Sequence, residues 1–251
     1  MTLEAINLKK SFGGLCAVDD VSFTASAGEL TCITGPNGAG KTTLFNLLTG
    51  FCTADEGRVL LDGRDITDLS PAARARLGTA RTFQNIRLLD EISALDNLVT
   101  AMHGELNGTI ADTLLPTLRR KRKLKRAREY AHEQLNKLGL DAFSDMPAGK
   151  MPYGARKSLE IARCLCMRPR LMLLDEPASG LNTQEAFELG EIIKTIDKSE
   201  IIIVVIEHNM ALVRQIADRV IHIDSGHLKY ALERDEWIRQ TAPVNAKGGK
   251  Q

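Results

Sequence analysis

Short apolar runs, each about the length of a strand, recur along this chain and alternate with stretches whose apolar positions repeat at helical spacing. Residues 3–8 and 16–25 alternate in polarity and are punctuated by Gly13-Gly14 and Ala27-Gly28, which predicts antiparallel strands. Leu30–Thr34 predicts a buried strand, followed by a glycine-rich loop and a helix over about Lys41–Thr49. Residues 58–62 predict another strand, closed by the turn Asp62-Gly63. From about 85 to 168 the helical period dominates. Three more apolar runs follow, 171–175, 201–206 and 220–223, separated by helical patterns over 184–196 and 210–217. Strands alternating with helices imply a parallel sheet covered on both faces, interrupted here by an inserted helical subdomain. Past Asp224 the pattern weakens, and residues 242–251 are expected to form a disordered, weakly basic tail.

A chain of 251 residues can bury a sizeable core as one domain or two closely fused ones. Lys and Arg number 33 against 32 Asp and Glu, so no overall field draws the protein to nucleic acid or anionic lipid. Five cysteines occur without a C-x-x-C pair, and Cys164 and Cys166 point to different faces of a helix. That usage fits a reducing compartment, not a disulfide framework or zinc site. No leader pattern opens the chain, and Asp175 ends its best apolar run far short of membrane-spanning length. Work at a membrane would require docking through a partner. Residues 119–128 hold eight basic residues in ten, which reads as a solvated helix. Contact with anionic headgroups or acidic loops of a membrane partner is the sharper alternative.

Between the strand and the helix lies Gly35-Pro36-Asn37-Gly38-Ala39-Gly40-Lys41-Thr42, which fits G-x-x-x-x-G-K-[ST] in the context that motif requires. Glycines let the backbone curl so that successive N–H groups point at phosphate oxygens, and the helix adds its positive end. Lys41 is expected to neutralise the β- and γ-phosphates of ATP, and the Thr42 hydroxyl to ligate Mg²⁺. Thr43 can donate to the α-phosphate. A second element, Leu171–Asp175, carries Asp175 to the carboxyl end of a strand, where open parallel sheets place ligands. Asp175 suits the metal. Glu176, expected to point the other way on an extended backbone, suits the polarising of an attacking water. His208 follows a further apolar strand and could reach the γ-phosphate from the same rim. His103, His132, His222 and His227 hold no such position. Gln84, after an expected strand at 80–83, could orient water or ligate Mg²⁺, although most glutamines do neither.

In this order the pieces resemble the nucleotide-binding subunit of an ABC transporter over roughly residues 3–230. The resemblance implies an α/β fold: a P-loop NTPase (RecA-like) parallel sheet core, an N-terminal antiparallel β subdomain and a helical subdomain inserted at about 85–168. The domain would span 3–235, followed by a partly disordered tail at 236–251. It also implies that Phe12 stacks on adenine, that Gln84 links ATP to the membrane partner, and that Glu176 is the catalytic base. Ser179-Gly180-Leu181-Asn182 would contact a second ATPase subunit, and His208 would be the switch histidine. A finer resemblance, to branched-chain amino-acid importers, rests on Lys10-Ser11-Phe12-Gly13-Gly14-Leu15, Arg81-Thr82-Phe83-Gln84 and Ile206-Glu207-His208-Asn209-Met210. It implies the longer of two unlike ATPases, or one of a like pair, on the cytoplasmic face of the inner membrane. Its partners would be two permeases and an extracytoplasmic binding protein, with no nucleic acid. Alternatives are a urea or short-amide importer, a lipopolysaccharide exporter, or a soluble ABC ATPase acting on ribosomes or DNA.

One segment departs from the family. Where the signature is usually close to Leu-Ser-Gly-Gly-Gln, this chain has Met151-Pro152-Tyr153-Gly154-Ala155. Pro152 has neither hydroxyl nor N–H, so two γ-phosphate donors are missing. The Gly154 backbone and a helix expected to begin near Ala155 remain to favour an anion. The ATP bound by this chain is therefore expected to turn over faster than the partner's ATP facing Pro152.

Overall fold

The computed structural model describes residues 1–102 and 118–241, without the side chains of 118–120. His103, the first two side chains of the basic run and the expected tail at 242–251 lie outside the described residues.

Two sheets form the frame. Strands β1 (Thr2–Phe12), β2 (Leu15–Ser26), β4 (Glu56–Leu61) and β5 (Arg64–Asp65) make an antiparallel sheet in the order β2-β1-β4-β5. The second sheet uses β3 (Leu30–Thr34), β6 (Thr79–Arg81), β7 (Leu171–Asp175), β8 (Ile202–Ile206), β9 (Arg219–Asp224) and β10 (His227–Glu233), ordered β10-β9-β3-β8-β7-β6. Five of its strands are parallel, and β10 returns antiparallel along β9. The sheet is thus mixed, and β10 lies where the polarity pattern weakens. Its residues are mostly half-buried or exposed, so backbone pairing, not a buried apolar run, makes the strand.

The central strands sort their side chains by the two-residue period of extended backbone. Leu171, Leu173, Ile202 and Val204 face β1, β2, β4 and helix α1 (Lys41–Thr49), through Leu3, Leu8, Val59, Leu44 and Phe45. Met172, Leu174, Ile203 and Val205 face the other helices. One cover of the core is therefore largely a second sheet, where an α/β reading expects helices on both faces. The helical side comprises α3 (Ala94–Ala101), α4 (Leu118–Lys137), α5 (Tyr153–Cys166), α6 (Thr183–Lys194) and α7 (Met210–Ile216). The short α2 (Pro71–Arg76) places Arg74, almost fully buried, where it donates to the carbonyls of Leu47, Thr67 and Leu69. At the Leu47 carbonyl, in the last turn of α1, it adds a second donor beside the Gly50 N–H. A final helix, α8 (Arg234–Thr241), packs Trp237 into the helical side at 2% exposure.

The carboxyl ends of β3, β6, β7, β8 and β9 gather at one edge. In an open α/β sheet that edge is where a ligand can approach several strand ends at once.

Candidate active site

The loop between β3 and α1 is wedged between two neighbouring backbones, and glycine is required at both contacts. A Cβ on Gly35 would lie 2.0 Å from the carbonyl oxygen of Ile223, and one on Gly40 would lie 2.0 Å from that of Ala17. Gly40, at φ 97°, also turns the chain into α1. The β9–β10 turn braces the loop from beneath: the Gly226 N–H donates to the Ala39 carbonyl at 3.0 Å. Lys41 is folded back, its Nζ donating to the carbonyls of Gly35 and Pro36 at 2.7 Å each. Burial pulls its pKa below the usual lysine range, and the Glu176 carboxylate opposes that pull. Thr42 is exposed at the mouth of the loop and Thr43 half-buried.

A cleft of about 580 Å³ opens over this loop, lined among others by Phe12, Asn37, Lys41, Thr42, Thr43 and Glu176. Phe12 is 52% exposed at the end of β1, with Lys10 5.4 Å from its ring centre, so a flat apolar face is available to a planar ligand. A larger cleft, about 940 Å³, lies at the opposite ends of β7 and β8 beside Tyr130, Gln134 and Arg170. Its described lining includes Asp197 and Glu200 but no glycine-rich phosphate loop. Chemistry, not size, singles out the first.

Glu176 is the centre of the rim. Gln84 Nε2 donates to its Oε2 at 3.1 Å, and His208 Nδ1 lies 3.8 Å from its Oε1. Its backbone is left-handed, φ 45°, and not extended as expected. A turn, rather than strand alternation, therefore separates the two acids. Asp175 is buried and paired with Arg81, whose Nη2 lies 2.6 Å from its Oδ2. Thr82 Oγ1 accepts its backbone N–H at 3.0 Å. Arg81 is held in turn by Asn46 at 2.7 Å and by the rings of Phe45, Phe51 and Phe83 within 6 Å. The strand end thus offers a half-engaged carboxylate, since the described contacts use Oδ2 and leave Oδ1.

Those oxygens fit Mg²⁺. Among the described residues no cluster of three His, Cys, Asp or Glu could form a cage. Mg²⁺ instead suits one or two protein oxygens, completed by water and phosphate. The Thr42 hydroxyl, the Asp175 carboxylate and the Gln84 amide oxygen supply that kind of donor set.

Glu207 escaped sequence reasoning as a site residue. It is fully buried; Oε1 accepts the Ala178 N–H at 3.0 Å, and Oε2 accepts the N–H groups of His208 and Asn209 at 2.7 and 2.8 Å. One carboxylate thereby fixes both the turn after Glu176 and the turn that presents His208. Its position directly after a five-residue apolar strand was the available signal. His222, set aside on sequence, lies beneath the loop: its Nδ1 is 3.1 Å from Thr34 Oγ1, and its ring stacks on Tyr230.

The signature segment is separate. Helix α5 begins at Tyr153, with Pro152 as its N-cap, so it starts earlier than the expected Ala155. Pro152 contributes no side-chain cap, and Gly154 lies inside the first turn. Tyr153 is 43% exposed; its hydroxyl donates to the Ser179 carbonyl at 3.4 Å, and its ring lies over Gly180. Asn182 starts α6 with a capping box to Glu185. This fixes the exit of the Ser179–Asn182 turn.

The sequence profile of the ABC transporter family matches residues 18–179. The chain belongs to that family. The matched stretch contains Gly35–Thr42, Gln84, Pro152 and the pair Asp175-Glu176, while Phe12 and His208 flank it. It makes the protein an ABC-type ATPase. The chain is 42% identical over 225 residues to the high-affinity branched-chain amino acid transport ATP-binding protein BraF of Pseudomonas aeruginosa, covering 89% of this chain and 88% of that one. It is 40% identical over 226 residues to LivG of Salmonella typhimurium, described by the same function, with 89% of each covered. A crystal structure of a nucleotide-free ATP-binding cassette from an ABC transporter superposes with TM-score 0.81 at 32% identity, over 96% of this chain and 94% of that one. The ADP conformation of another such cassette superposes with TM-score 0.82 at 31% identity, with 96% and 94% covered. Nucleotide binding by an ABC ATPase of this shape follows.

Proposed function

We propose that this ABC ATPase drives an importer of branched-chain or related hydrophobic amino acids. It would sit peripherally on the cytoplasmic face of the inner membrane, beneath two permease subunits served by an extracytoplasmic binding protein. Residues 3–235 act as one ATPase domain, with 85–168 as its helical insertion. The observation that carries the chemistry is the meeting of Gln84 and His208 on Glu176 at the mouth of the loop's cleft.

Loop N–H groups from Gly38 to Thr43 cradle the phosphates, and Lys41 exchanges its two loop carbonyls for phosphate oxygens. Thr42, Asp175 and Gln84 would hold Mg²⁺, and the ion would supply positive charge against the triphosphate. Phe12 stacks on adenine. Glu176 polarises the attacking water, held in place by Gln84, and His208 donates to the γ-phosphate. Pro152, Tyr153 and Gly154 face ATP bound by a second, unlike ATPase subunit.

The test is uptake of labelled leucine into proteoliposomes containing the transporter that co-purifies with this chain. Uptake should require ATP inside and the receptor outside. A complex that hydrolyses ATP, yet never responds to a branched-chain amino acid on its receptor, would remove the assignment of cargo.

A further inference from the structure

Three buried or half-buried charges on one side of α5 are not used by the chemistry above, and all three reach the same short segment. Lys157 is 3% exposed, and its Nζ donates to the Gln84 carbonyl at 3.1 Å. Glu160, at 5% exposure, accepts the Arg87 N–H at 2.8 Å. Arg163 donates to the Arg87 carbonyl. The spacing 157, 160, 163 is the i, i+3 spacing of neighbours on a helix face. Burial lowers the pKa of Lys157 and raises that of Glu160, so each charged form is present at a desolvation cost. Toward the start of the same helix, Lys157 lies 5.8 Å from the ring centre of Tyr153.

We propose that Lys157 and Glu160 are positioning residues: they hold the backbone from Gln84 to Arg87 so that the Gln84 amide meets Glu176. The inference rests on the ATPase reading and adds to it. Gln84 is exposed and on irregular backbone, with its side chain reaching Glu176 across 3.1 Å. Such a side chain keeps its place only if its backbone is anchored, and α5 supplies the anchor. Because α5 also begins with Tyr153-Gly154, a shift of that helix against a neighbouring subunit moves Gln84 in this chain's own site. Lys157 touches both ends of the connection.

The test uses the full chain in the complex that co-purifies with it. Lys157→Met keeps the apolar stem and removes the donor, and Lys157→Arg restores one. Glu160→Leu removes the acceptor for Arg87, and Glu160→Gln retains it. The expected result is a kcat reduced roughly tenfold for Lys157→Met and Glu160→Leu, because a small displacement of a water-orienting group costs turnover. Affinity for a fluorescent ADP analogue should stay within about twofold, since no ground-state contact is lost. Lys157→Arg and Glu160→Gln should recover most of kcat, and amide exchange at 85–88 should quicken in the two damaging variants alone. Unchanged kcat in Glu160→Leu and Lys157→Met overturns the proposal. So does a loss of kcat that follows thermal stability and is not recovered by Arg or Gln. Glu176→Gln, measured alongside, separates the two claims: if it retains turnover, the reading of the site itself has failed.

Discussion

The Gly35–Thr42 loop and the first turn of α5 are both helix N-termini suited to an anion, but they differ in construction. The loop is braced from outside, with Gly35 against Ile223, Gly40 against Ala17, and Gly226 bonded to Ala39. It carries a lysine already held at its rim by two carbonyls. The first turn of α5 has Pro152 for a cap and no side-chain cap bond; its tyrosine is spent on the chain's own Ser179–Gly180 turn, and its Arg156 donates to Asp90 at 2.6 Å. A preorganised cradle needs little rearrangement to favour developing charge. A bare helix terminus offers only the N–H groups and dipole of its first turn. The contrast teaches that one cassette can give its own nucleotide more than it gives its neighbour's.

The sharpest way to break that contrast is Glu176→Gln on this chain alone, in the assembled transporter. Turnover should fall by roughly 10²–10⁴-fold at this site, with ATP still bound and the closed dimer trapped. Steady-state ATPase near wild type would place the stronger site on the other subunit. Next in size is Arg81→Met. It leaves the buried Asp175 without its cation and should lower stability by about 3 kcal/mol, measured by urea unfolding. A change below about 1 kcal/mol would mean that solvent already reaches Asp175. Pro152→Ser should sharpen the contrast from the other side. One added γ-phosphate donor should raise turnover at the partner's ATP by roughly fivefold, read with this chain's own Glu176 inactivated. No increase would show that the proline does not limit that half-site.

The smallest effect concerns the brace beneath the loop. Burial lowers the His222 pKa from its ordinary 6.5, so the folded state prefers the neutral ring. Its contribution is fully present above the unfolded value and is lost as pH falls from about 6.5 through the lower folded value. Thermal melts between pH 7 and 5 should show a decline that His222→Phe reduces. An identical decline in the variant would assign it to other groups.

Much of the fold is legible in the chain itself. β3, α1 and β7 are apolar runs or helical periods bounded by glycine or a charge, and each lies where its pattern predicts. β10 and α8 were illegible because backbone pairing with β9 and one buried Trp237 hold them. For the candidate site, motif spacing singled out Lys41, Thr42, Asp175 and Glu176. It could not reveal that Arg81 engages Asp175, that Glu207 organises two turns, or that Lys157 holds Gln84, because those contacts join residues 94, 29 and 73 positions apart.

What the sequence determined by itself is local. The glycines permit the loop's close approaches, the strand–loop–helix order places N–H groups on one side, and the absence of a hydroxyl at Pro152 is a fact of composition. What only the tertiary structure decided is which groups share a charge. A carboxylate's partner depends on which strand ends the sheet order brings together, and burial then raises the cost of leaving that partner out. Asp175 next to Glu176 in sequence is one pair of acids. In the folded chain they belong to different networks, one closed by Arg81 and the other open to the cleft.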